Sequence, residues 1–153
     1  MAGKLLTNEF QSNIILNATC HSVEDAIQQV GQILVKNHYV TKPYIQGMLE
    51  READYSTYLD FGIMIPHGNE ASLTFVQCPG ISILQVPKGF DYLGHTVTLV
   101  IGISSKEEDP LQELLQITDL ILKPEKRDRL LHLSSKQEFI DLVNENYAIE
   151  GEL

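Results

Sequence analysis

The run VTLVIGIS, residues 97–104, restricts the fold more than any other part of the chain. Val97, Leu99, Ile101 and Ile103 alternate with Thr98, Val100, Gly102 and Ser104, so a strand built from them is apolar on both faces. Such a strand belongs in the centre of a sheet that is covered on both sides. The covering layers must come from amphipathic helices, and the remaining sequence supplies candidates.

NIILN (13–17) and GISILQV (80–86) read as further strands, the second closed by the turn signal PKGF. FGIMIPH (61–67) reads as a strand whose N–H ladder stops at Pro66. Ser22 with Asp25 resembles a capping box, and Val23, Ala26, Ile27, Val30, Ile33 and Leu34 then fall on one helical face, up to a stop at Asn37. A second helix is expected from Thr41, with Pro43 in its first turn and Ile45, Met48 and Leu49 as its buried stripe. Glu50, Arg51 and Glu52 lie near its C-terminal end, where the helix dipole favours a cation and disfavours an acid.

Residues 109–122 predict a third helix with Asp109 as N-cap, Pro110 at the first position and a stripe of Leu111, Leu114, Leu115, Ile121 and Leu122. PEKRDRLLHL predicts a short helix, and SKQEFIDLV opens on another capping box, Ser135 with Glu138. The order strand, two helices, several strands, helices predicts an α/β fold: a mixed β-sheet flanked by helices on both faces. With 153 residues, no repeat and no linker-like stretch, residues 1–153 read as a single domain.

The net charge of -10 argues against nucleic acid or an anionic membrane as the main partner and would steer a basic protein partner toward the chain. No apolar run reaches the roughly 18–20 residues of a membrane span, so no membrane insertion is expected. Without a signal-peptide h-region, and with Cys20 and Cys78 far apart, a reduced, cytoplasmic setting is the simplest reading. Both thiols read as buried and inert.

The familiar phosphate-loop, dinucleotide, zincin and nucleophile-elbow motifs are absent, and no cofactor is predicted. No two of His21, His38, His67, His95 and His132 lie within five residues, so no helical metal pair exists and no metal is expected. KEED (106–109) reads as a solvated loop before a helix. His132 reads as a helix-face residue, and His21, His38 and His95 as solvated loop residues. His67 differs by context. Pro66 stiffens the loop start, and Gly68 permits close approach of a ligand to the backbone. An imidazole held this way serves as base, acid or nucleophile near neutral pH.

In their order along the chain, NIILN, SVEDAIQQVGQILV, YIQGMLERE, STYL…GIMIPHG, GISILQVPKGF and LVIGISS followed by a leucine-rich helix resemble the mannitol/fructose-type enzyme IIA domain of the bacterial phosphoenolpyruvate-dependent sugar phosphotransferase system, with the mannitol type most similar. The resemblance covers nearly the whole chain. It implies a mixed sheet flanked by helices and a phosphotransferase component that works through a phosphohistidine at His67. It implies the phosphocarrier protein HPr as donor and an enzyme IIB as acceptor, with Arg51 supporting the phosphohistidine. The sugar is contacted by enzyme IIC, outside this chain.

Two segments depart from that pattern. Mannitol-type members usually carry a second histidine at the start of the helix after the IGIA strand; here EEDPL puts Pro110 at that position. Where the family tends to show Gly-Asn-Gly or Gly-Glu-Ser, Asp60, Phe61 and Gly62 stand, so an acid and an aromatic ring would join the site if they face it. Loss of the second histidine also fits a regulatory phospho-acceptor module, and a ligand-binding or scaffold protein without phosphotransfer is a third reading.

Overall fold

The computed structural model describes residues 5–107 and 110–151. The strands are β1 (Ile14–Ile15), β2 (Tyr58–Asp60), β3 (Ile63–Met64), β4 (Gly80–Tyr92) and β5 (His95–Ser104). They form one mixed sheet in the order β1-β4-β5-β3-β2. β5 lies in the middle, antiparallel to β4 and parallel to β3, as its two apolar faces require.

Each face of the sheet has its own core. On one side Ile63, Ile83, Leu99, Ile101 and Ile103 meet Ile117, Leu120, Phe139 and Leu142 of the C-terminal helices. On the other, Met64, Leu84 and Val100 meet Ala26, Ile27, Val30, Leu34, Tyr44 and Met48 of the N-terminal ones. The expected mixed sheet with helices on both faces is therefore the observed fold.

Helix α1 (Val23–Lys36) opens on the Ser22 hydroxyl, which accepts from the Asp25 amide at 3.1 Å, while the Asp25 carboxylate accepts from the His21 amide at 3.0 Å. It presses close to the sheet: the Ser82 hydroxyl donates to the Val30 carbonyl at 3.0 Å, and a Cβ on Gly102 would stand 2.8 Å from Val30 Cβ. Gly102 interrupts an otherwise bulky strand to seat that helix. Helix α2 (Tyr44–Asp54) starts later than Thr41, with Pro43 at its N-cap; Ile45 and Met48 are buried and Leu49 half-buried.

β4 does not close at PKGF. It runs on to Tyr92, and the pairing with β5 shifts register between Gln85 and Phe90. Pro87 lacks a ladder donor, and a bulge absorbs it without ending the strand. The reversal comes at Leu93 and Gly94, both at positive φ. β2, which was not expected, pairs antiparallel with β3.

Helix α3 (Leu111–Leu122) is preceded by Pro110 at its N-cap; Asp109 and the side chain of Leu111 lie outside the described residues. Its buried stripe is Ile117, Leu120 and Ile121, whereas Leu115 and Leu122 are 54% and 64% exposed. The helix turns a neighbouring row of its leucine-rich surface to the core. α4 (Pro124–Leu131) follows, then α5 (Lys136–Gly151), where the Glu138 amide donates to the Ser135 hydroxyl at 3.1 Å and the Ser134 amide to the Glu138 carboxylate at 2.7 Å.

Candidate functional site

Beyond β3 the chain continues along β5 by single contacts. The Ile103 amide donates to the Pro66 carbonyl at 2.9 Å, and His67 forms a parallel bridge with Ile103. Pro66 brings no donor, but its carbonyl still takes a bond from the sheet. The Gly68 amide donates to the Tyr44 hydroxyl at 2.8 Å, and that hydroxyl donates to the Ile103 carbonyl at 2.8 Å. Gly68 is not at positive φ, so its backbone freedom is unused. Space is what it supplies: a Cβ there would stand 2.3 Å from Ser72 Oγ and 2.4 Å from Tyr44 Cε1. The Pro-His-Gly triplet is thus pinned between β5 and the start of α2.

The His67 imidazole is 7% exposed, and its Nδ1 lies 2.8 Å from the Ile65 carbonyl. A carbonyl only accepts, so Nδ1 carries the hydrogen and, in the neutral ring, Nε2 holds the lone pair. Ile65 is held in turn: its amide donates to the Thr57 carbonyl at 3.1 Å. The ring therefore has a fixed orientation and a fixed tautomer, which is what a nucleophilic imidazole needs.

Arg51 sits in the last turn of α2. Its Nη1 donates to the Tyr55 carbonyl at 2.8 Å, and its guanidinium carbon lies 3.9 Å from the Tyr55 ring centroid. It lines an open hollow of about 650 Å³ with Asp54, Tyr55, Asn69, Glu70 and Ala71. Asn69, two residues beyond His67, donates to the Glu50 carboxylate at 3.1 Å and accepts from the Ser72 amide at 3.1 Å. The structure brings Arg51 to the loop that carries His67, while His67 itself does not line the hollow.

Two residues at this site escape the sequence reading. Tyr44, 1% exposed, forms the hydroxyl bridge described above. Glu52, 7% exposed, accepts from the Thr57 amide at 2.8 Å, the Thr57 hydroxyl at 2.6 Å and the Tyr92 hydroxyl at 2.5 Å. The signal for Glu52 was its spacing: 45, 48 and 52 form one helical row, which places this acid on the buried face. Burial, and next the bond to Glu52, push the Tyr92 phenol up to about 12.

The departures at 60–61 stand apart from His67. Ile63 pairs with Leu99 and His67 bridges to Ile103, so the hairpin turn at 60–62 begins more than about 13 Å along the strand from His67. Asp60 accepts from the Phe61 amide, and Arg127 of α4 stacks 3.6 Å from the Phe61 ring centroid. Pro110 is buried ahead of α3, and its carbonyl accepts from the Leu114 amide at 3.1 Å. His21, His38, His95 and His132 are exposed. Cys20 is buried and its thiol is pushed up to about 11, mainly by burial, but Cys78 is exposed, contrary to expectation. Cys78 stands in the turn between the Val40–Val76 bridge and β4, where an apolar residue has no core to enter. Glu108 and Asp109 of KEED lie outside the described residues. Among the described residues no three His, Cys, Asp or Glu side chains gather as a metal-binding group, and no helix is long and apolar enough to cross a membrane.

The family described as "Phosphoenolpyruvate-dependent sugar phosphotransferase system, EIIA 2" matches residues 9–146. The mannitol-specific phosphotransferase enzyme IIA component of Geobacillus stearothermophilus is 40% identical over 136 residues, which is 88% of this chain and 94% of that protein. A crystal structure of IIA mannitol from Escherichia coli superimposes with a TM-score of 0.79 at 32% identity, covering 86% of this chain and 96% of that one. A complex of enzyme IIAMTL and phosphorylated enzyme IIBMTL from the same organism gives 0.80 at 31% identity, covering 86% and 94%.

Proposed function

The chain belongs to the EIIA 2 family of the phosphoenolpyruvate-dependent sugar phosphotransferase system, and from that premise we propose that it carries a phosphoryl group on Nε2 of His67, taken from phosphorylated HPr and passed in the cytoplasm to an enzyme IIB that serves mannitol uptake. The observation that carries the reading is the His67 ring itself, held by the Ile65 carbonyl with the lone pair on Nε2. The identity to mannitol-specific enzyme IIA components supports the choice of sugar, and the structural likeness to an enzyme IIA bound to phosphorylated enzyme IIB supports the acceptor.

In this mechanism Nε2 attacks the phosphorus of the donor. The Nε2–P bond forms as the bond to the donor's leaving group breaks, and the leaving group keeps the electron pair. The proton stays on Nδ1 against the Ile65 carbonyl. Discharge runs the same way in reverse: the acceptor's nucleophile bonds to phosphorus and the imidazole recovers its lone pair. No nucleotide is needed, because transfer of this kind depends on positioning and charge stabilisation.

The phosphoryl group brings close to two negative charges. Arg51, which lines a hollow with Asn69 and Glu70 of the loop that follows His67, is a cation suited to it. One of its five donors is spent on the Tyr55 carbonyl; turning from that carbonyl would present the guanidinium fork to the phosphoryl oxygens. The surplus of acids over bases would steer a donor or acceptor with a basic docking face toward the chain.

Incubation with phosphoenolpyruvate, enzyme I and HPr should yield one acid-labile phosphohistidine, absent in His67→Ala. Addition of a mannitol-type enzyme IIB should discharge it. Equal labelling of His67→Ala overturns the assignment of His67. A labelled protein that no enzyme IIB discharges overturns the transport role and leaves the regulatory one.

A further inference from the structure

We infer that Glu52 is a positioning residue for phosphoryl transfer, acting on the His67 imidazole through Thr57 and Ile65; this rests on the reading of His67 as the phosphoryl acceptor. Four hydrogen bonds, in three consecutive links, carry the inference. The Glu52 carboxylate accepts from the Thr57 amide at 2.8 Å and from the Thr57 hydroxyl at 2.6 Å. The Thr57 carbonyl accepts from the Ile65 amide at 3.1 Å. The Ile65 carbonyl accepts from His67 Nδ1 at 2.8 Å. Every acceptor in the series is a buried oxygen with a donor within hydrogen-bonding reach.

Ile65 lies past the end of β3. β5 holds the chain on its far side, through the Ile103 amide on the Pro66 carbonyl; Thr57 holds the Ile65 amide on the near side, and Glu52 holds Thr57. Where the Ile65 carbonyl points decides which ring nitrogen keeps the proton and which is left to attack. The same carboxylate anchors the turn at 55–57, whose Tyr55 carbonyl and ring hold Arg51. One buried acid therefore sets both the nucleophile and the perch of its proposed cationic partner. An acid buried only to cap a loop would need no such path to a reactive group. The Tyr92 hydroxyl completes its three donors from β4.

The test compares wild type, Glu52→Ala and Glu52→Gln by two readouts. The first is the nitrogen-15 chemical shifts of His67 at neutral pH, which report the tautomer without any phosphotransferase partner. The second is single-turnover transfer from phosphorylated HPr. Wild type should show a protonated Nδ1 and an unprotonated Nε2. In Glu52→Ala the second tautomer should appear, and the rate constant at saturating HPr should fall roughly tenfold to a hundredfold, with little change in the half-saturating HPr concentration. Glu52→Gln, whose amide oxygen still accepts from Thr57, should restore most of both. Ser22→Ala, which weakens α1 far from this series, should lower stability and move neither readout.

A folded Glu52→Ala with the wild-type tautomer and rate overturns the inference, as does Ser22→Ala slowing transfer equally. If Glu52→Ala does not fold, Thr57→Val deletes one of the two donors at constant size and is read the same way. Labelling of His67→Ala would sink the acceptor reading on its own, and the tautomer readout would still decide the link from Glu52 to His67.

Discussion

The Gly68 amide donates to the Tyr44 hydroxyl at 2.8 Å, and the same hydroxyl donates to the Ile103 carbonyl at 2.8 Å, so one phenol ties the residue after His67 to the central strand. Tyr44→Phe keeps the ring and removes the bridge, leaving a buried amide and a buried carbonyl without that partner. Leaving a buried group unsatisfied costs about 1–3 kcal/mol. The unfolding free energy in urea should fall by about 2 kcal/mol, with the Gly68 amide exchanging hydrogen faster. An unchanged urea midpoint would mean that the bridge contributes nothing to stability.

Arg51 makes its bond to Tyr55 at the surface, so Arg51→Ala should leave stability within about 0.5 kcal/mol of wild type. Transfer should respond much more. Removing a donor aimed at developing charge costs roughly a hundredfold to a thousandfold in rate, and Arg51→Lys, which keeps the charge and loses the fork, should recover only part of it. Single-turnover labelling measures both, and a wild-type rate in Arg51→Ala would show that this arginine does not serve the phosphoryl group.

The legibility of this chain follows the strength of the local signals. VTLVIGIS gave away its central place because burial on two faces leaves no polar parity, and Ser22 and Ser135 announced their helices because a cap needs a specific oxygen. PKGF misled because a bulge can carry a proline through a strand, and tertiary pairing with β5 outweighs the turn signal. The stripe of α3 was ambiguous because a leucine-rich helix offers several apolar rows. His67 was visible from Pro66 and Gly68, but Tyr44 and Glu52 were not. The role of Tyr44 depends on hydrogen bonds to residues 24 and 59 positions away; Glu52 bonds Thr57 close by, but its link to His67 passes through Ile65 and its third donor, Tyr92, comes from 40 positions away. Periodicity reports which face is buried; it does not report which oxygen waits there.

Phe61 holds φ 58°, a conformation that bulky residues adopt at a cost of about 1–2 kcal/mol, and it is 45% exposed. Its compensation is the stack with Arg127, worth about 0.5–1 kcal/mol at an exposed site. Asparagine tolerates this backbone conformation, so Phe61→Asn exchanges one small term for another. Stability should stay within about 0.5 kcal/mol of wild type and transfer should be unaffected, since the turn lies far along the strand from His67. Urea denaturation and the labelling assay check the two halves; a large loss of transfer would place this turn at the partner interface.

Cys20 and Tyr92 make stability depend on alkaline pH. Both are neutral when protonated, and burial disfavours their anions: the thiol rises from 9.0 to about 11 and the phenol from 10.0 to about 12. The folded chain thus holds these protons more tightly than the unfolded one. Their contribution is complete below pH 9, and it is lost as pH climbs to about 11 for Cys20 and, from pH 10, to about 12 for Tyr92. The urea midpoint should therefore decline from pH 9 upward, Cys20→Ala should flatten the first part of the decline, and Tyr92→Phe the second. A thiol reagent at pH 8 separates the cysteines directly: exposed Cys78 should react at once, and buried Cys20 only after urea unfolds the chain. Prompt reaction of two thiols in the native protein would contradict the burial from which both the Cys20 shift and the first part of the pH decline are derived.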